Sequence, residues 1–498
     1  MQELLEGLWL CLQPANAAVL LAGIVVGTVF GIVPGLQNIT ALSILLPFTY
    51  LMPPAQAFLL MIGIYVAGIF GGSITAILYR IPGAPENMAT AIDGYAMTRQ
   101  GRASEALGAA ILASALGGTV SIIVFVFAAP QLAGAALWFG PIEYFGLIFF
   151  ALAMVSLIGS SPIKSLVSVV LGLLVSTVGL SSITGTGRFT FGSDYLTGGF
   201  DVLAVMVGVF AIAEVLGRIH ADVSIPLASN SSGRIRSRFP TFSELRRIWG
   251  TLLRSTGLGI VVGILPALGA TAAALLAYQM ERRLAPSGAR FGTGELAGVA
   301  APEAANNASV GGAMIPLMTL GIPGSSSTVV MLTAFQIYGM QPGASLFQEQ
   351  KELVSLIYAG MLLANMSLVV AGIVAVRLFS RMANIPFSYL GPAIIVLCTI
   401  GAYAARGNLV DVVAMFGFGV LGFLMEKAGF SISAFVLAFI LGDVLESSFV
   451  RTMILFDWNP LQVFTRPFAG VLVAAGIVML CWALLHPRRQ EASLARAI

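Results

Sequence analysis

The chain has 498 residues, 58% of them hydrophobic and 9% charged, with a formal net charge of +3 and a mean hydropathy of +0.95. Soluble domains carry about 25% charged residues, so a soluble fold of this composition has too few polar groups to cover its surface. The small charge, with no interleaving of basic and aromatic residues, also excludes nucleic acid as a partner, which leaves an all-α, polytopic integral membrane protein in contact with the lipid bilayer.

About 20 apolar residues cross a bilayer as a helix. From the N-terminus, candidate spans lie near 17–34, 57–79, 107–133, 137–160, 163–183, 200–218, 252–277, 308–337, 353–377, 388–404, 408–428 and 466–486. That predicts about 12 transmembrane helices, with shorter apolar runs at 39–51 and 431–446 as re-entrant or half-spans. The opening Met1-Gln-Glu3-Leu-Leu-Glu6 lacks a positive n-region, so the first apolar run is expected to stay in the membrane. Between spans, residues 218–254 carry seven arginines against Asp222 and Glu244. By the positive-inside rule this connection and the tail with Arg488, Arg489 and Arg496 are cytoplasmic.

The two sides of that connection repeat each other. Gly27-Thr-Val-Phe-Gly31-Ile-Val-Pro34-Gly35 matches Gly259-Ile-Val-Val-Gly263-Ile-Leu-Pro266-Ala267. Gly71-Gly72 then matches Gly311-Gly312, and Ile81-Pro82-Gly83 matches Ile322-Pro323-Gly324. The organisation read from this is a first membrane repeat at 1–217, a basic cytoplasmic linker at 218–254, a second repeat at 255–487 and a cytoplasmic tail at 488–498. Glycine and proline weaken a helix interior by roughly 1 and 3 kcal/mol. Matched weak points in two apolar halves therefore predict interrupted helices at the repeat interface, the best sequence pointer to a secondary transporter's binding site.

A helix broken inside a membrane exposes unpaired backbone groups, tolerable only where they line a polar cavity or meet a ligand. Half-helix N-termini suit a carboxylate, and unwound carbonyls suit a cation such as Na+. The candidate substrate-binding residues are Asn38, Gly71, Gly72, Ser73, Thr75, Pro82, Gly83, Asn306, Asn307, Gly311, Gly312, Pro323, Gly324, Ser325 and Ser326, uncharged and small. Tight helix packing is the competing reading for any single glycine motif. Candidate ion-coupling residues are Gly35, Thr271 and Glu303. A carboxylate at membrane depth is a functional candidate, and Glu303 either takes part in H+ or Na+ coupling or caps the following helix. Residues 86–102 read as a membrane-edge loop in which Asp93 either caps a turn or pairs with Arg99 or Arg102. Arg80 either attracts an anion or snorkels to the interface.

Absences narrow the class. There is no phosphate loop, His-Glu-x-x-His pair or nucleophile elbow, so neither an enzyme nor an ATP-driven pump is expected, and no cofactor beyond the coupling ion. Cys11, Cys398 and Cys481 read as small hydrophobes, and His220 and His486 stand alone, so no metal site is expected.

Several of these segments resemble the large membrane subunit of the bacterial tripartite tricarboxylate transporters. They are Gly71-Gly72-Ser73 with Ile81-Pro82-Gly83, Asp93-Gly94-Tyr95 with Arg99-Gln-Gly101-Arg102, Ala301-Pro302-Glu303-Ala304-Ala305-Asn306-Asn307-Ala308, Gly31-Ile-Val-Pro34-Gly35 and Thr319-Leu-Gly321-Ile322-Pro323-Gly324. The resemblance implies an inner-membrane permease driven by an ion gradient, symporting an organic di- or tricarboxylate with H+ or Na+. It further implies two partners, a periplasmic solute-binding protein and a small four-span membrane subunit. Two positions depart from the family pattern: asparagine usually stands where this chain has Arg80, and a small residue such as serine where it has Asn87. The alternatives are an uncoupled carboxylate channel or exporter, and a non-transporting membrane scaffold subunit.

Overall fold

Apolar runs punctuated by proline and glycine become helices along almost the whole chain. The computed structural model describes residues 2–485 apart from 34–35, 158–160, 182, 222–237, 267, 286–289 and 383–386. In chain order the helices are α1 (Gln2–Leu12), α2 (Pro14–Ile32), α3 (Asn38–Thr49), α4 (Pro54–Tyr79), α5 (Met88–Arg99) and α6 (Ala103–Ala136). Then come α7 (Pro141–Val155), α8 (Pro162–Ser176), α9 (Asp194–Thr197), α10 (Val202–Val207) and α11 (Ala213–Ala221). The series continues with α12 (Phe242–Ile264), α13 (Gly269–Leu284), α14 (Leu296–Leu320), α15 (Ser326–Ile337) and α16 (Ala344–Glu349). It ends with α17 (Lys351–Met382), α18 (Phe387–Arg406), α19 (Leu409–Lys427), α20 (Ile432–Leu455) and α21 (Pro467–Leu485). Proline at the first helical position of α2, α4, α7 and α8 starts each without losing a hydrogen bond. The described strands are one short antiparallel pair, Gly179–Leu180 with Gly187–Arg188.

Among the described residues, 7 helices are long and apolar enough to cross a membrane, and shorter apolar helices include α3, α7, α8 and α15. Several expected spans divide. The run expected at 252–277 is two helices, α12 ending at Ile264 and α13 beginning at Gly269, and the run at 308–337 holds the end of α14 and all of α15. Residues 86–102, expected as a loop, contain α5, half of whose residues are buried because it packs against α4 and α14. Arg246, Arg247 and Arg254 of the basic stretch lie on α12, whose start is fixed by a capping box between Thr241 and Glu244. Arg234, Arg236, His486 and the tail at 488–498 lie outside the described residues.

The chain forms two compact units, residues 1–133 with 218–396 and residues 134–217 with 397–498. Each unit draws on both sides of the basic stretch, so the sequence halves 1–217 and 255–487 differ from the packed units. In the smaller unit α8 packs on α20, α7 on α20 and α21, and the turn joining α10 to α11 on α19. Its ion pairs include Arg188 with Glu446 at 2.6 Å and Arg406 with both Asp411 at 2.6 Å and Asp201 at 3.3 Å. Only 39% of the apolar window of α19 is buried, so most of it remains for lipid.

In the larger unit the pattern is reversed. The window in α4 is 94% buried, and helices apolar all round belong at a core. Glycines bring its helices together. A Cβ at Gly27 of α2 would lie 2.5 Å from the Ile64 carbonyl of α4, and one at Gly263 of α12 would lie 2.5 Å from the Ser309 carbonyl of α14. Such contact through glycines four residues apart is how membrane helices pack most closely. It also corrects the expectation that Gly71-Gly72 and Gly311-Gly312 interrupt their helices. α4 runs unbroken to Tyr79 and α14 to Leu320, because each pair is spent on packing: Gly71 against Gly31, Gly311 against Ser121 and Gly312 against Ile260 and Gly263.

Candidate functional site

The interruptions lie a few residues further on. At the end of α4, Arg80 adopts φ 58° and ψ 26°, and at the end of α14, Gly321 adopts φ 69° and ψ 20°. Ile81 N–H then reaches the Thr75 carbonyl at 3.4 Å, as Ile322 N–H reaches Pro316 at 3.2 Å. These are left-handed C-terminal caps, in which the N–H of residues 80 and 321 also bonds the carbonyl four positions back, Ala76 and Leu317. Residues 80 and 321, 81 and 322, 75 and 316 are all 241 positions apart. Proline at 82 and 323 cannot continue a helix and holds its predecessor extended. Gly83 and Gly324 then fold back: a Cβ on Gly83 would lie 2.5 Å from both the Gly31 carbonyl and Gly72 Cα, and one on Gly324 would lie 2.8 Å from Ala313 Cα. With 241 as the spacing, Gly72 corresponds to Ala313 and Gly71 to Gly312, one position from the alignment expected on the glycine pairs alone.

After each interruption the chain crosses to the other half. The short helix Pro85–Asn87 packs on α13 and α14, and α15 packs on α3 and α4. Tyr65 of α4 bonds Ser325 at 3.2 Å, and Thr271 at the start of α13 lies beside the Glu86 carboxyl.

Between them sits a fully buried carboxylate. Glu303 of α14 accepts hydrogen bonds from Ser73 of α4 and Thr90 of α5 on Oε1, each at 2.6 Å, and from Ser114 of α6 on Oε2 at 2.9 Å. All four residues are inaccessible to solvent. Ser73 in turn accepts from Asn87 Nδ2 at 2.9 Å, and Asn87 Oδ1 accepts from Ala84 N–H at 3.2 Å. A hydrogen-bonded chain thus runs from the first interruption to a carboxylate on the other half. No ion pair to Glu303 exists among the described residues. A buried charge without a partner costs several kcal/mol, which the three hydroxyl donors offset in part.

Residues 18–437 match the family model described as the tripartite tricarboxylate transporter TctA family. The chain belongs to this family. It is 37% identical over 481 residues to an uncharacterized 52.8 kDa protein in the TAR-I ttuC' 3' region of Agrobacterium vitis, covering 96% of this chain and 95% of the relative. It is also 35% identical over 233 residues to an uncharacterized protein in the TAR-II ttuC' 3' region of Agrobacterium vitis, covering 47% of this chain and 96% of that one. No solved structure matches. TctA is a transporter family whose members work with further subunits, and this member is a multi-pass membrane protein.

The other expected site residues of this TctA-family chain divide by surroundings. Asn306 and Asn307 are buried beside Glu303 on α14, and neither Asn306 amide atom nor Asn307 Oδ1 has a hydrogen-bond partner among the described residues. Asn307 Nδ2 donates to the Glu303 carbonyl at 3.3 Å. Ser325 caps α15 through Thr328, and Ser326 follows in its first turn. Pro82, Gly83, Pro323 and Gly324 form the interruptions themselves. Asn38 opens α3 with its Cβ against Gly68, while the Thr75 hydroxyl turns back to the Gly72 carbonyl at 3.0 Å. Gly35 lies outside the described residues. Arg80 is exposed.

Asp93 pairs with neither Arg99 nor Arg102 and caps no turn of its own. It accepts from the backbone N–H groups of Gly292, Gly294 and Glu295 at 2.8–3.0 Å and from Tyr278 OH at 2.8 Å, which pins α5 to the start of α14. Arg102 pairs instead with Glu105 at 2.7 Å. Sequence reasoning missed Thr90 and Ser114 as donors to Glu303 and Tyr65 as the partner of Ser325. Ser114, in a long apolar helix, carries no mark that separates it from a packing serine.

Proposed function

We propose that this chain is the permease subunit of an ion-coupled carboxylate uptake system in the bacterial inner membrane. On this reading a periplasmic solute-binding protein delivers a di- or tricarboxylate, and a small four-span membrane subunit completes the complex. The observation that carries it is Glu303: a fully buried carboxylate that accepts from three hydroxyls and is joined through Ser73 and Asn87 to a helix interruption. Intramembrane carboxylates of this kind mark ion and substrate pathways.

The two interruptions supply the substrate side. Their unwound backbone and the helix starts beyond them offer N–H donors to substrate carboxylates. H+ or Na+ bound near Glu303 would balance its charge, and its gradient would drive accumulation. Membership of a tripartite family supports the two partners. The sequence repeat at 1–217 and 255–487 supports an alternating-access mechanism in which paired halves exchange exposure of a shared site.

Uptake of labelled citrate and other carboxylates into vesicles holding the full complex tests the reading. Accumulation against a gradient, abolished when the ion gradients are collapsed, is the expected result. Equilibration without accumulation would favour an uncoupled channel or exporter, and no flux for any carboxylate would favour a scaffold subunit.

A further inference from the structure

The short helices that follow the two interruptions, α5 and α15, are each fastened to the other half of the chain, and the two fastenings differ. In the first, Asp93 of α5 accepts from the N–H groups of Gly292, Gly294 and Glu295 and from Tyr278 OH. Just beyond α5, Gln100 Nε2 donates to the Thr293 carbonyl at 2.6 Å and Arg102 Nη1 to the Gly294 carbonyl at 3.1 Å. In the second, Tyr338 at the end of α15 sets its hydroxyl on the Thr49 and Met52 carbonyls, 2.9 Å from the latter, and packs its ring on Phe58.

The sequence repeat relates the two clasps. The 241-residue spacing carries α4 onto α14 and α5 onto residues 329–340, and the spacing from Gly27 to Gly259 carries α3 onto 270–281 in α13. Accordingly α5 packs on α13, as α15 packs on α3. The clasps lie at opposite ends of α4: Tyr338 meets Phe58 near its start, whereas Thr98 of α5 bonds the Ile77 carbonyl near its end. At 1.5 Å per residue those levels are about 28 Å apart, close to the thickness of a bilayer core. α14 runs the other way. Its start meets Asp93, and Met318 near its end accepts from Gly343, just beyond Tyr338. Arg102 and Gly294 share a cavity with Arg247 and Arg254 of α12, which places the Asp93 clasp at the arginine-bearing end.

Equivalent places carry unlike chemistry. The counterpart of Tyr338 is Met97, and that of Asp93 is Ala334. One clasp is a carboxylate gathering several donors, and charge-assisted hydrogen bonds are roughly twice as strong as neutral ones. The other rests on a single hydroxyl, whose one proton two carbonyls must share. We infer that the clasps are unequal gates: the ligand-free protein opens at the Tyr338 end, while the Asp93 clasp keeps the arginine-bearing end shut. Because α5 and α15 each begin at an interruption, release of one clasp uncovers the interruptions toward that end. This rests on the transporter reading above and adds to it the face that the empty carrier presents, the one opposite the basic stretch.

The test is hydrogen exchange of the full chain, purified with its co-purifying subunits and without substrate. Backbone amides at 48–53 and 338–343 should exchange about tenfold or more faster than those at 290–296. Asp93→Asn keeps the side-chain shape and weakens its clasp. It should speed exchange at 290–296 and slow it about threefold or more at 338–343, because opening at one end competes with opening at the other. Tyr338→Phe keeps the ring, and should speed exchange at 48–53 while slowing it at 290–296. A merely structural anchor loosens only its own surroundings, so unchanged exchange at the far end in both variants would overturn the gates. Faster exchange at 290–296 than at 338–343 in the wild type would overturn their order. Carboxylate uptake into vesicles separates this from the transporter reading. Accumulation at the wild-type rate, in variants with unchanged far-end exchange, removes the gates and leaves that reading intact. The reciprocal shift in a protein that moves no carboxylate upholds the gates and removes the reading instead.

Discussion

Ser73 and Glu303 lie 230 positions apart in the chain, and the Ser73 hydroxyl donates to Glu303 Oε1 at 2.6 Å with both side chains fully buried. The bond joins α4 of one half to α14 of the other at the level where Asn87 brings in the first helix interruption.

Loss of that donor leaves the carboxylate with one oxygen less well satisfied. Ser73→Ala should destabilise the protein by about 1–3 kcal/mol, as expected for a hydrogen bond to a buried charged group, and should slow carboxylate uptake. Glu303→Gln keeps the shape and removes the charge. It should reach the membrane in normal amounts while uptake falls by about ten- to a hundredfold. Initial rates in vesicles, with protein levels measured alongside, check both variants.

The interruptions depend on missing Cβ atoms. Gly83→Ala would bring its methyl group within 2.5 Å of the Gly31 carbonyl and Gly72 Cα, and Gly324→Ala would drive its own into the Gly263 carbonyl. Overpacking against backbone costs about 1–3 kcal/mol or more, so both should lower the unfolding temperature and impair uptake. Gly134→Ala, with nothing within 4 Å, should change little. Thermal scans of the three variants distinguish a packing cost from a general intolerance of alanine.

Arg80 holds a left-handed conformation at the position where the second half has Gly321. Such a conformation strains residues with a Cβ, whereas glycine and asparagine accept it readily. Arg80→Gly or Arg80→Asn should therefore stabilise the chain by about 0.5–1 kcal/mol. An unchanged or lower unfolding temperature for both would mean that the exposed guanidinium contributes more than its backbone costs.

Asp93 gathers three backbone N–H groups and a tyrosine hydroxyl at the start of α14. Asp93→Ala strands those donors and should destabilise by about 3 kcal/mol or more. Hydrogen exchange should rise first at residues 290–296, where the anchor acts.

At the start of α12 the backbone N–H and hydroxyl of Thr241 hold the Glu244 carboxyl below the usual carboxylate range. A depressed carboxyl stabilises the fold above its unfolded-state pKa, and that contribution is lost as pH falls through the folded value. The unfolding temperatures of wild type and Glu244→Gln should differ at neutral pH and converge in acid.

Much of the site was visible in the sequence, but not its wiring. Pro82-Gly83 and Pro323-Gly324 announced interruptions because proline and glycine side by side disfavour a helix most strongly, whereas the isolated Pro302 and Pro316 lie inside α14. Gly71-Gly72 and Gly311-Gly312 misled because glycine has two uses, weakening an isolated helix and permitting close contact between packed ones. In a membrane core the second use prevails, since an open backbone would leave its polar groups unpaired. Thr90 and Ser114 were not legible at all: their bonds to Glu303 span 213 and 189 positions, and no local pattern encodes such a distance.

The amino-acid sequence by itself determined the solvent, because 9% charged residues cannot clothe a soluble surface. It determined the helical class, the family and the matched interruptions, all properties of composition and local order. Tertiary structure alone decided which serines and threonines meet Glu303, that Asp93 anchors α14, and that Asn306 is left without a partner. Those outcomes depend on helices from distant parts of the chain packing at van der Waals distance, where a single Cβ or hydroxyl decides which groups are satisfied.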